Sequence, residues 1–246
     1  MGGPRRPRGR RAAGRQVIIY GRNPVREAIR GPRAIRRVWA TKNAAREPWL
    51  PQVGVDVVIA TAEEVEQRCG SSEHQGMCAE VSAFRYADGA DVLAAGRTLI
   101  VALDQIQDPQ NLGAICRTAE CAGATAVVIP ERRSAEVTAA VCKASAGAVE
   151  HLPIARVRNL ADFLTEAKNS GSWCYGADPH ASVAHDSVDY NGSVVIVLGS
   201  EGRGLRPRVA TTCDALVSIP VRGRVGSLSV SAAAAVLLYA AAARRT

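Results

Sequence analysis

The chain is short of aromatic residues, of histidines and of long apolar runs. Phe, Trp and Tyr make up 4% of 246 residues, which argues against an extensive platform for stacking nucleic-acid bases. The four histidines (74, 151, 180 and 185) are scattered, with no His-x-x-x-His and no Cys/His cluster, so no metal site is expected. The longest apolar stretch, Ala232 to Ala243, falls short of the ~20 residues that span a bilayer, and no membrane segment is expected. No secretory apolar region follows the basic start, because Val17 to Tyr20 is far too short. Seven cysteines (69, 78, 116, 121, 142, 174 and 213) never form Cys-x-x-Cys and are odd in number. They read as reduced core residues of a cytoplasmic protein.

What is present in excess is positive charge, and most of it is local. The net charge is +8, but residues 1–15 contain six of the 31 basic residues and no acid, leaving 25 against 23 acidic residues, a net of +2. That Gly-, Pro- and Arg-rich segment has nothing apolar to bury and is expected to be a disordered tail. It suits phosphate contacts on nucleic acid, or serves only as a solubilising terminus.

Residues 16–84 read as a small α/β unit. Val17 to Tyr20 and Val55 to Ala60 look like strands. Asn23-Pro24 looks like a helix start, with Asn23 as N-cap and Pro24 at the first helical position, and Thr61 with Glu64 has capping-box spacing. Residues 85–96, rich in Ala, Gly and Asp, are the linker candidate. From residue 97 to 246, near-continuous apolar runs (Thr98 to Leu103, Ala126 to Ile129, Val194 to Leu198, Ala215 to Ile219) alternate with helical stretches. That is the pattern of an α/β domain with a parallel sheet covered on both faces. The helix Ser229 to Ala243 is apolar almost all round and must be buried, in the core or between subunits.

Three loops follow carboxyl ends of these strands, where open α/β sheets place ligands. Asp104 to Gly113 packs hydrogen-bonding side chains ahead of a helix that carries Arg117. Asn111 is either a functional amide or only an N-cap, and Arg117 either a functional cation or only a solvated charge. Gly199-Ser200-Glu201-Gly202-Arg203-Gly204-Leu205 allows close backbone approach or a flexible turn. It matches neither a P-loop nor Gly-x-Gly-x-x-Gly, which disfavours an ATPase and a dinucleotide-binding enzyme. Ile219 to Ser231 sets arginines, glycines and serines before a helix N-terminus; Ser229 by itself is more often a cap than a catalyst.

These loops resemble the ordered motifs of the SpoU (TrmH) family of RNA ribose 2′-O-methyltransferases, in the SPOUT superfamily. Asp108-Pro109-Gln110-Asn111-Leu112-Gly113 with Arg117 is similar to the first motif. Leu198 through Leu205 is similar to the second, and Ile219-Pro220 through Ser227-Leu228-Ser229-Val230-Ser231 to the third. Gly21 to Val25, His74-Gln75-Gly76 and Ser145 to Pro153 resemble the subgroup that methylates a guanosine of 23S rRNA. One departure is Ser229, where the family usually has Asn; the hydroxyl lacks the amide's reach and second donor.

The resemblance implies a small ribosomal-protein-like α/β domain that binds RNA substrate, followed by a trefoil-knotted parallel-sheet α/β methyltransferase domain. It implies S-adenosylmethionine as cofactor, held around Leu198, Gly199, Ile219 and Leu228, and a homodimer packed through the last helix. Asn111, Arg117, Glu201 and Ser229 become the expected catalytic residues, and Arg22, Asn23 and Arg203 the expected RNA contacts. In the family the counterpart of Arg117 is proposed as the base; a guanidinium that stays charged would instead stabilise the developing alkoxide. The alternatives to 23S rRNA methylation are methylation of a tRNA ribose and a non-catalytic rRNA-binding assembly factor.

Overall fold

The computed structural model describes residues 16–52 and 54–245, so the basic tail lies outside the described residues. Strands β1 (Gln16–Tyr20), β2 (Ile35–Ala40), β3 (Val57–Ile59) and β4 (Met77–Ser82) form a sheet in the order β1-β4-β2-β3. It is joined by helices α1 (Arg22–Arg30) and α2 (Ala62–Cys69). The capping box of α2 forms as its spacing predicts: Thr61 Oγ1 accepts from Glu64 N, and Glu64 Oε2 accepts from Thr61 N.

The start of α1 differs from the expectation. Its N-cap is Gly21, not Asn23, because Gly21 adopts φ 99 and Gln75 Oε1 supplies the acceptor for Arg22 N at 3.1 Å. The segment 85–96 also differs, since it contains α3 (Gly89–Leu93), capped by Asp88. Val92 is buried there, and the helix packs close to Val157, since a Cβ at Gly89 would lie 3.0 Å from Val157 Cγ1. The low periodicity of the segment hid a helix of little more than one turn.

The second sheet contains β5 (Leu99–Asp104), β6 (Ala126–Pro130), β7 (Ile154–Val157), β8 (Ser172–Ala177), β9 (Val183–Ala184), β10 (Ser193–Gly199) and β11 (Ala215–Ser218). All pairings are parallel, in the order β7-β6-β5-β10-β8-β11-β9. Side chains alternate between faces along a strand, and both faces are covered. Leu99, Val101 and Leu103 pack with α4 (Pro109–Cys121) and α8 (Val230–Ala242). Ile100 and Ala102 pack with α6 (Leu160–Asn169) and α7 (Pro207–Thr212). Both faces of a strand are therefore apolar, which is why the sequence shows runs instead of alternation. The first core also takes in Ile19, Val25, Val38 and Met77 of the amino-terminal unit.

Strand order reverses at β5. From there the chain builds outward through β6 and β7, then returns to lay β10 on the other side. Such a reversal leaves a crevice at the carboxyl ends of the two strands, here β5 and β10.

Candidate active site

β5 ends in Asp104, a carboxylate with no exposed surface. A buried charge must be paired, and Arg206 does this three times: its Nε and Nη2 each lie 2.7 Å from Oδ1, and its backbone N donates to Oδ2 at 2.8 Å. The pair ties the loop after β10 to the end of β5. Asp104→Asn turns an amide donor toward the guanidinium or the backbone N–H, and is expected to cost about 1–3 kcal/mol of stability in denaturant titration. The next residue, Gln105, takes φ 62, a left-handed conformation uncommon outside glycine and frequent at functional sites.

Helix α4 begins at Pro109, with Asp108 as N-cap accepting from the amides of Gln110 and Asn111 at 3.0 and 3.3 Å. Asn111 is therefore not the cap, and its amide side chain is left for the crevice. Gly113, four residues before Arg117, is a point of close helix contact. A Cβ there would lie 2.4 Å from Ala144 Cβ, so the glycine lets α4 touch α5 (Ala139–Ala144).

After β10 the chain folds back on itself. Ser200 and Gly204 exchange backbone hydrogen bonds of 2.8 and 3.2 Å, with Gly202 and Gly204 at φ 78 and 65. At the tip, Glu201 Oε1 accepts from Val230 N at 3.3 Å, and Ser229 Oγ accepts from Ala232 N at 3.3 Å. A carboxylate on the first amide of α8 is favoured by the positive end of the helix. The second and third motif loops are thereby joined.

The result is a polar cleft of about 270 Å³ lined by Gln105, Asp108, Asn111, Ser200, Glu201 and Arg203, with Val230 at its edge. The fold thus brings together Asn111, Glu201 and Arg203, with Ser229 adjacent through the Glu201 contact. Arg117 is exposed, does not line this cleft and has no ion-pair partner among the described residues. Leu198 is buried in the core and can offer a ligand only its backbone. Ile219 is partly buried, whereas Leu228 is 44% exposed.

Val221 and Val225 are exposed with Leu228, and nothing lies within 4 Å of a Cβ built at Gly223 or Gly226. An apolar surface beside open backbone fits an adenosyl group. Among the described residues no group of three or more His, Cys, Asp or Glu could hold a metal. Burial pushes Cys116 and Cys174 up to about 12 and Cys142 up to about 11, which disfavours these three thiols as nucleophiles.

In the amino-terminal unit, Arg22 is engaged by Glu47 at 2.8 Å and by the Gln75 carbonyl at 3.3 Å, while Asn23 is exposed. Sequence reasoning assigned no role to Asp104 or Arg206. The signal was available, because a carboxylate closing a wholly buried apolar strand demands a cation.

Two family models match the chain: SpoU rRNA Methylase family over residues 98–239, and RNA 2′-O ribose methyltransferase substrate binding over residues 18–87. The chain is 38% identical over 239 residues to the 23S rRNA (guanosine-2′-O-)-methyltransferase RlmB of Xanthomonas axonopodis pv. citri, covering 92% of this chain and 96% of the relative. It is 37% identical over 267 residues to an uncharacterized tRNA/rRNA methyltransferase of Mycolicibacterium vanbaalenii, covering 98% and 85%. The crystal structure of an AdoMet-bound rRNA methyltransferase from Sinorhizobium meliloti superposes with a TM-score of 0.77 at 26% identity, over 92% of this chain and 87% of that one. With both of its units matched, the chain belongs to the SpoU rRNA methylase family.

Proposed function

We propose that the chain methylates the ribose 2′-hydroxyl of a guanosine in 23S rRNA, using S-adenosylmethionine. The observation that carries this reading is the polar cleft at the strand-order reversal, where Asn111, Glu201 and Arg203 from two motif loops meet beside the exposed segment 220–229. When bound, the cofactor supplies an electrophilic methyl group on a sulfonium. The backbone at Leu198, Gly199 and Ile219, with the side chain of Leu228, would hold it.

The chain's own residues then have to align the ribose and manage one proton. Asn111 orients the ribose through its amide. Glu201 keeps the catalytic loop on the start of α8, and Arg203 takes a phosphate. Arg117 remains a guanidinium, as arginine does in proteins, and stabilises the oxygen while its proton passes to a phosphate or to water.

Arg117 lies outside its own chain's cleft, which supports a homodimer that shares residues between sites. Ala232, Val236, Tyr239 and Ala243 form an exposed apolar stripe on α8, with Tyr239 53% exposed, and a second copy packed through this helix would cover it. No helix among the described residues is long and apolar enough to cross a membrane, and we place the protein in the cytoplasm with its rRNA substrate.

Transfer of a tritiated methyl group to bulk large-subunit rRNA, with tRNA in parallel, tests the reading. Label in rRNA supports it. Label only in tRNA favours the tRNA alternative, and label in neither favours the non-catalytic one. Ser229→Asn is expected to leave the rate unchanged or raise it, with an unchanged melting temperature, because Asn caps a helix as well as Ser does. A loss of activity in the folded variant would show that this site is built around serine.

A further inference from the structure

Three stretches that resemble the rRNA subgroup, namely Gly21 to Val25, His74-Gln75-Gly76 and Ser145 to Pro153, take no part in the chemistry above. In the fold they meet at the seam between the amino-terminal unit and the methyltransferase domain. Gln75 caps Arg22, and Lys143 Nζ donates to the Glu73 carbonyl at 2.8 Å. Gly147 sits where a Cβ would lie 2.6 Å from Glu27 Cβ, and His151 Nε2 is 3.0 Å from Glu27 Oε2.

At the centre of the seam is a buried ion pair. Arg33 Nη1 lies 2.8 Å from Glu150 Oε1, with the two side chains 6% and 1% exposed. Arg33 Nε also donates to the Ser82 carbonyl at 3.0 Å, and the guanidinium lies 6.0 Å from the Phe84 ring centroid. Among the described residues Glu150 Oε2 has no hydrogen-bond partner, and Arg33 is the one ion-pair partner of this carboxylate. Gly31 completes the fit, since a Cβ there would come within 2.9 Å of Glu150 Cβ.

We propose that Arg33 and Glu150 are positioning residues that lock the RNA-binding unit at one angle to the catalytic cleft. The lock presents a single 2′-hydroxyl to the cleft according to its distance from the RNA held by the amino-terminal unit. The inference rests on the RNA methyltransferase reading. An apolar seam tolerates sliding, because hydrophobic contact has no direction. A buried ion pair with further directional bonds is satisfied in one register only, and replacing it by apolar residues of similar volume is often neutral or stabilising. What the charges add here is orientation.

The test is pulsed electron–electron resonance on the RNA-free protein. Labels go on Lys42→Cys and Asn169→Cys in a Cys69→Ser, Cys121→Ser background, diluted with unlabelled chain, and rRNA methylation kinetics are measured alongside. The wild-type seam is expected to give one narrow distance. Arg33→Met and Glu150→Gln each broaden it and raise KM for rRNA about tenfold or more, as the docked fraction falls. Cofactor affinity and the rate at saturating RNA stay within about twofold. The double variant Arg33→Met with Glu150→Met keeps the wild-type melting temperature yet still shows the broad distance and the raised KM, which a purely structural role would not produce. A broad wild-type distance overturns the lock whether or not the protein methylates RNA. Recovery of both readouts in the double variant overturns the positioning role. A narrow wild-type distance without methyl transfer strikes the functional reading and leaves the lock standing.

Discussion

Asn111→Ala and Arg117→Ala are each expected to slow methyl transfer by about 100-fold or more while leaving the affinity for S-adenosylmethionine unchanged. Removing one group aimed at developing charge costs about 100- to 1,000-fold in the rate of the chemical step. Neither residue lies on the segment 219–229 or on the backbone at Gly199, so cofactor affinity has no reason to change. Asp108 caps α4 and leaves the Asn111 side chain outside the helix's own hydrogen bonding, so truncation there removes function without unwinding the helix. Arg117 is exposed, so its loss opens no cavity. Single-turnover rates with titration calorimetry check the result. A loss of cofactor affinity equal to the loss of rate would show that these residues hold the cofactor instead. The pH profile of Arg117→Lys tests the charge role separately: an unchanged profile with a modest loss excludes arginine as the base.

Gly199→Ala is expected to weaken cofactor binding by about 10- to 100-fold and abolish turnover, from overpacking of about 1–3 kcal/mol. The new Cβ would lie 2.2 Å from the Gly204 carbonyl carbon and 2.4 Å from both Gly204 O and Leu205 N. All three are backbone atoms, and they cannot withdraw while Ser200 and Gly204 are paired and Arg206 is bound to Asp104. The loop must open, carrying Glu201 away from the start of α8. Unchanged binding measured by calorimetry, in a variant with wild-type melting temperature, would show that the loop relaxes without cost.

The methyltransferase sheet was legible where strands are covered on both faces, as at Thr98 to Leu103 and Val194 to Leu198. β8 was not, although it lies between β10 and β11. Its sequence, Ser172-Trp173-Cys174-Tyr175-Gly176-Ala177, mixes polar, aromatic and small residues. Gly176 is needed for packing, since a Cβ there would meet Leu216 and Leu205 within 2.8 Å. That requirement comes from neighbours distant in sequence. The three motif loops were legible because each packs more hydrogen-bonding side chains, glycines or arginines into one connection than a plain turn needs. The cap assignment at Asn23 failed because Gly21, two residues upstream, competes for the helix start and wins; at Asn111 the cap alternative gives way to Asp108 in the same manner. The seam could not be read at all, because Arg33 and Glu150 are joined only by the docking of two separately patterned units.

The pairing of β5 with β10 brings Leu99 beside Val194, residues 95 positions apart in the chain. During vectorial synthesis at about 5–20 residues per second, the β5 edge therefore waits roughly 5–20 seconds for its partner. Over that interval it presents an apolar strand with unpaired backbone, the kind of edge that templates aggregation. Asn111 is made early in that interval and Glu201 after it, so the crevice cannot exist on a nascent chain until nearly all of the domain has left the ribosome.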